Sequence, residues 1–181
     1  MQNGALSLDG VVLGGEAEGT LPLARGVTLC AADLYAAGSA INASSLGVQG
    51  IAARVLFAGT AAGTAAIMQP RFGLLLSADS VVRLHQARIV ARTPLVLRGG
   101  RAVADRNELS PGTDAATDST ALQLERGASA AFTTSTVGGF RCVASFADAA
   151  SAATFVLPGN DLARDNTHLA CGAPGQLTVR E

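Results

Sequence analysis

The sequence predicts an all-β solenoid: one domain over residues 1–181, in which about seven short coils stack on one another. Three observations carry this reading. An apolar-x-apolar-x-x-Gly pattern recurs, a second strand-like run follows each copy, and the apolar half of the chain is made of small side chains. The pattern reads ALSLDG at 5–10, LPLARG at 21–26, LVLRGG at 95–100 and LQLERG at 122–127. Each copy alternates as a half-buried strand does and then meets a glycine turn.

The following runs are VVLGG after Gly10, VTLCAADL after Gly26, RAVADRNEL after Gly100 and ASAAFTTSTV after Gly127. The unit is therefore strand, glycine turn, strand, loop. Gly100 and Gly127 lie 27 residues apart, and FGLLLSADS at 72–80 is a looser copy. A weak middle unit, INASSLGVQGIAARVLFAG, occupies 41–59, and CVASFADAASAATFVLPGNDL at 142–162 continues the series. Spacings of about 20 to 30 residues are those of solenoid coils.

Composition agrees with this. Aromatic residues make up 4%, Trp is absent, and Tyr35 is the one tyrosine; stacked coils favour small inward side chains because each sits on its counterpart in the next coil. With 15% charged residues and 21 glycines, the chain is neither a disordered acidic segment nor an ordinary helical enzyme. A net charge of −1, with all 13 basic residues arginine, gives no bulk attraction to nucleic acid. The least charged stretch, 55–70, is too short for a membrane span and is broken by Gly59 and Gly63. Met1 is followed by no basic and long apolar leader, so no signal peptide is expected.

Two segments have helical composition. Over 47–68, however, Gly47, Gly50, Gly59 and Gly63 would each cost a helix about 1 kcal/mol relative to Ala. In SVVRLHQARIVART at 80–93, Val82 and Leu84 alternate on one parity and Ala87, Ile89 and Ala91 on the other. That phase change predicts two strands joined by a short turn. NELSPGTDAATDST at 107–120 and LPGNDLARDNTH at 157–168 read as loops bulging from the repeat. Neither end shows an amphipathic capping helix, which favours ends or flanks covered by partners.

In LPLARG with VTLCAADL, LVLRGG with RAVADRNEL, and LQLERG with ASAAFTTSTV, the chain resembles the right-handed parallel β-helix group. That is the architecture of pectate-lyase-like enzymes, phage tailspikes and surface adhesins. The resemblance implies a fold far more than a function.

Arg83, Arg88, Arg92, Arg98, Arg101 and Arg106 crowd one short region. On stacked coils Arg83, Arg88, Arg98, Arg101 and Arg106 are candidates for an acidic sugar, sulfate or phosphate, gripped by the guanidinium fork; the other reading is a solvated face with acidic neighbours. Arg98 and Glu125 hold equivalent places in successive units, which predicts a cross-coil ion pair. Carboxylate pairs for glycosidic chemistry would be Asp105 with Glu108, or Asp114 with Asp118, but no clustered aspartates with a nearby His are recognisable. His85 and His168 stand alone, without metal-ligand spacing, and no metal or cofactor is expected. Thr133, Thr134 and Thr136 form a threonine-rich motif that occurs once. Cys142 and Cys171 are 29 residues apart, about one unit, so either a bridge between neighbouring coils or three buried small hydrophobes, with Cys30, fits.

The leading expectation is a non-enzymatic structural or adhesive β-helix, part of a virion fibre or spike or of a cell-surface assembly, and homo-oligomeric. The enzymatic alternative is a lyase or hydrolase acting on an acidic polysaccharide through the arginine-rich region. A mixed α/β domain with a helical middle is the third.

Overall fold

The computed structural model describes residues 3–14, 23–60, 65–68, 71–112, 118–156, 161–162 and 165–180, and over them the chain is a parallel β-solenoid with no helix. Its first coil comprises β1 (Ala5–Asp9), β2 (Val12–Leu13) and β3 (Leu23–Cys30). The second has β4 (Asp33–Ala37) and the long β5 (Ala40–Ile51), which turns a corner within itself. Then come β6 (Arg54–Ala58), β7 (Ala65–Met68) and β8 (Phe72–Ser77); β9 (Val81–His85), β10 (Ala87–Val90) and β11 (Thr93–Arg98). Next are β12 (Arg101–Asp105), β13 (Glu108–Ser110) and β14 (Thr120–Glu125); β15 (Ser129–Thr133), β16 (Thr136–Val137) and β17 (Cys142–Phe146). The seventh coil has β18 (Ala152–Val156), a bridge from Asp161 to Thr136, and β19 (His168–Gly172); β20 (Gln176–Arg180) follows. About six turns are thus complete on all three sides.

Each strand pairs in parallel with its counterpart one coil away, so like residues stack into inward columns. On the second side these are Ile41, Ile67, Ile89, Leu109 and Val137. On the third, Val48, Leu74, Leu95 and Leu122 stack beside Leu76, Leu97 and Leu124. All are buried, and each fully buried side chain of this size contributes about 1.5–3 kcal/mol. Apolar residues repeated down each column are what the recurring sequence pattern encodes.

The core also takes large rings, contrary to the expectation of small residues alone. Phe57, Phe132, Phe140 and Phe155 are fully buried. Room comes from alanine in the same columns: Ala36 lies under Phe57 and Ala104 under Phe132. Phe132 in turn stacks on Phe155 with ring centroids 5.2 Å apart. Close approach elsewhere requires glycine. A Cβ on Gly73 would lie 2.5 Å from the Pro94 carbonyl oxygen and 2.7 Å from Ile89 Cγ2.

The glycine-ended copies LVLRGG and LQLERG lie on the third side and end at a corner that leads round to the first. In LPLARG, whose first two residues lie outside the described residues, Gly26 falls inside β3 and the corner comes five residues later, at Ala31. ALSLDG differs, since β1 is on the first side and Gly10 turns toward the second. The helix that the glycines of 47–68 speak against is absent among the described residues, which form the end of β5, β6 and β7, and the phase change at 80–93 is the corner between β9 and β10 at Gln86. The loop expected from Asn107 begins only after Ser110, because Leu109 completes an inward column as part of β13. Of that loop, 113–117 lie outside the described residues, as do 157–160 and 163–164 of the other.

Amides that miss a strand partner at the corners are capped from the next coil. Ser39 Oγ accepts the Val11 amide, Ser80 Oγ the Ala53 amide and Asn107 Oδ1 the Ala87 amide. Ser135 Oγ accepts the Asn107 amide, and Asn166 Oδ1 that of Phe140. No buried side-chain polar atom is left without a partner among the described residues, as close-packed interiors require. A disulfide joins Cys142 and Cys171 on β17 and β19, their Cα atoms 6.2 Å apart.

Candidate functional site

The corner between the first and second sides repeats a single device. In five of the six complete coils, the third being the exception, one residue here takes the left-handed backbone conformation: Gly10, Gly38, Gln86 (φ 50°), Arg106 (φ 55°) and Thr134 (φ 51°). For a residue with a Cβ this costs about 1 kcal/mol, and at the last three corners it brings Gln86, Arg106 and Thr134 to one groove. On the next strands Arg88, Glu108 and Thr136 stand in register and line the same groove.

The groove has a volume of about 810 Å³ and reaches from Thr60 to Thr136. Four coils about 4.8 Å apart make it roughly 15 Å long. A second hollow of about 460 Å³ shares Arg88, Glu108 and Thr136 and continues past Ser110 and Pro111 to Asp165. The walls are amide, hydroxyl and guanidinium rather than aromatic. Arg88 Nε is 3.4 Å from Glu108 Oε2, which matches one positive charge, and Arg106 Nε is 3.8 Å from Asp105 Oδ2.

Asp105 is the hub on the first-side edge of this corner. Its Oδ2 is 3.1 Å from His85 Nδ1, and Thr133 Oγ1 donates to its Oδ1 at 3.0 Å. Both neighbours turn to the same carboxylate, so His85 does not hold the Thr133 hydroxyl and no nucleophile–base relay is formed. Glu108, across the corner, is turned to Arg88.

The five candidate arginines do not share one site. Arg88 and Arg106 line the groove. Arg83 and Arg101 are exposed on the outer face of the first side. Arg98 is on the third side, paired with Glu125 at 3.2 Å and in register with it, as its place in the repeat predicts. Arg92 pairs with Asp118, whose suggested partner Asp114 lies outside the described residues. His168 is exposed on β19. The threonine motif divides over the corner, Thr133 facing Asp105 while Thr134 and Thr136 line the groove. Among the described residues no three His, Cys, Asp or Glu stand close enough to hold a metal ion.

Gln86 and Asn107 were not singled out by sequence. Their signal was positional: HQA, DRN and TTS each begin on the last residue of a five-residue strand and stack in register on one another.

Fold and groove together define a parallel β-solenoid with a polar lateral groove, in agreement with the resemblance drawn from its repeats. Comparison of the chain with protein-family models, curated proteins and solved structures found no match in any of the three.

Proposed function

We propose that the protein is a structural or adhesive solenoid, a component of a virion fibre or spike or of a cell-surface assembly, working by association rather than turnover. The observation that carries this is the outer face of the first side. There Tyr35 is 46% exposed, Val103 53% and Val156 39%, on a parallel sheet that no helix covers among the described residues. Parallel sheets are ordinarily covered on both faces, so an uncovered face with exposed apolar side chains favours an interaction surface. The disulfide between coils supports an oxidising, extracellular setting.

The groove favours a second reading, an acidic polysaccharide bound along the corner by Arg88 and Arg106 and, in its enzymatic form, cleaved there. Incubation with uronate and sulfated polymers separates the two. The structural reading expects intact polymer and assembled protein; depolymerisation that Arg106→Ala abolishes would replace it with the enzymatic one.

A further inference from the structure

The exposed face of the first side has an order that the apolar residues alone do not explain. Its central column runs Tyr35, Leu56, Arg83, Val103, Ala131, Thr154. One flank carries Arg54 and Arg101 and the other His85 and Asp105. Arg101 and Asp105 are the two ends of one strand, β12. Arg54 is matched by Asp33 at 3.3 Å, whereas Arg83 and Arg101 have no acidic group within 4.0 Å among the described residues. Two unmatched cations thus sit on a face whose central column also exposes Tyr35 and Val103, with Arg83 between them.

We propose that this face binds a second copy of the chain, packed with its solenoid axis parallel, so that Arg101 of each copy meets Asp105 of the other. This rests on the structural reading above and names its partner and surface. A two-fold axis parallel to the solenoid axis exchanges the flanks at the same height, placing opposite ends of β12 against each other twice. An antiparallel pair would instead set each flank against itself, so that Arg101 would meet the Asp33–Arg101 flank rather than Asp105. The same axis sets Arg83 of the two copies at one height on the central column, each one strand and two residues along the face from Asp105 of the other copy, about 8 Å in the plane of the sheets, and each guanidinium turns to that carboxylate. His85 and Thr133 hold that carboxylate in place. The area suffices: eight strands about 4.8 Å apart, of five residues at about 3.3 Å, present about 550 Å² per copy. The pair covers about 1,100 Å², above the roughly 1,000 Å² that a specific interface needs.

Charge exchange tests the geometry. Arg101→Asp and Asp105→Arg each place like charges in both contacts of the pair, so each variant alone is expected to dissociate at least about tenfold more readily than the native chain. Mixed in equal amounts they restore both contacts, one native and one reversed, and a heterodimer is expected by sedimentation velocity. Tyr35→Asp, on the exposed central column, should also dissociate the pair and serves if Asp105→Arg fails to fold, as circular dichroism would reveal. A native chain that is monomeric at about 100 μM overturns the proposal. So does assembly that Arg101→Asp and Tyr35→Asp leave unchanged; in that case the structural reading survives with another surface.

Discussion

Replacing Asn107 with alanine should destabilise the solenoid by about 3 kcal/mol, although the residue resembles a loop asparagine in sequence. Asn107 is 3% exposed. Its Oδ1 accepts the Ala87 amide at 2.9 Å and its Nδ2 donates to the Leu84 carbonyl at 3.3 Å. Alanine leaves the Ala87 amide buried without an acceptor, a cost of about 1–3 kcal/mol, and forfeits a second hydrogen bond worth about 1 kcal/mol. Asn107→Ser should cost only about 1 kcal/mol, because serine already fills this role in the same column, Ser39 for the Val11 amide and Ser135 for the Asn107 amide. Urea unfolding measures the totals, and hydrogen exchange at the Ala87 amide gives the local effect, free of any departure from two-state behaviour in a stack of repeats. Roughly a hundredfold faster exchange is expected for Ala and less than about tenfold for Ser. Equal effects for Ala and Ser, or none for either, would refute the corner-capping argument.

Other consequences concern the links between coils. Reduction of Cys142–Cys171, which closes a span of 29 residues, should lower stability by about 3.5 kcal/mol in the chain-entropy picture, seen as a melt that shifts only when reductant is added. A double-mutant cycle on Arg98 and Glu125 should return about 0.2–1 kcal/mol, shrinking in high salt, since the pair is partly exposed. Asp148 is predicted to make stability acid-sensitive. Desolvation pushes its carboxyl up, but hydrogen bonds from Ser151 and from the Arg126, Gly127 and Ala150 amides outweigh it and hold it below the usual carboxylate range. A lowered folded value stabilises above the unfolded value of about 3.9 and is lost as pH falls through the folded value. Asp148→Asn should therefore be less stable than native protein at neutral pH, with the gap closing in acid melts.

Much of this was legible because stacking makes sequence periodic. The Leu-x-Leu pairs of β11 and β14 announce their own register, from which the Arg98–Glu125 pair follows. The Cys142–Cys171 spacing is one coil, and the parity change at Gln86 marks a corner. The second side was poorly legible: β13 and β16 have three and two residues, too few to alternate. Asn107 to Ser110 consequently read as loop, and the core asparagine at its head was hidden. The groove was obscured for a related reason. A single left-handed corner residue redirects the chain, so Arg83 and Arg88, five residues apart in sequence, end on different sides, while Arg88 and Arg106 come together.

The most direct measurement is the native mass of the purified chain, by light scattering coupled to size exclusion over a range of concentration. A dimer or larger multiple of 18.1 kDa that dissociates on dilution is expected. A single species at 18.1 kDa at every concentration would contradict it and turn attention to the groove at Arg88 and Arg106.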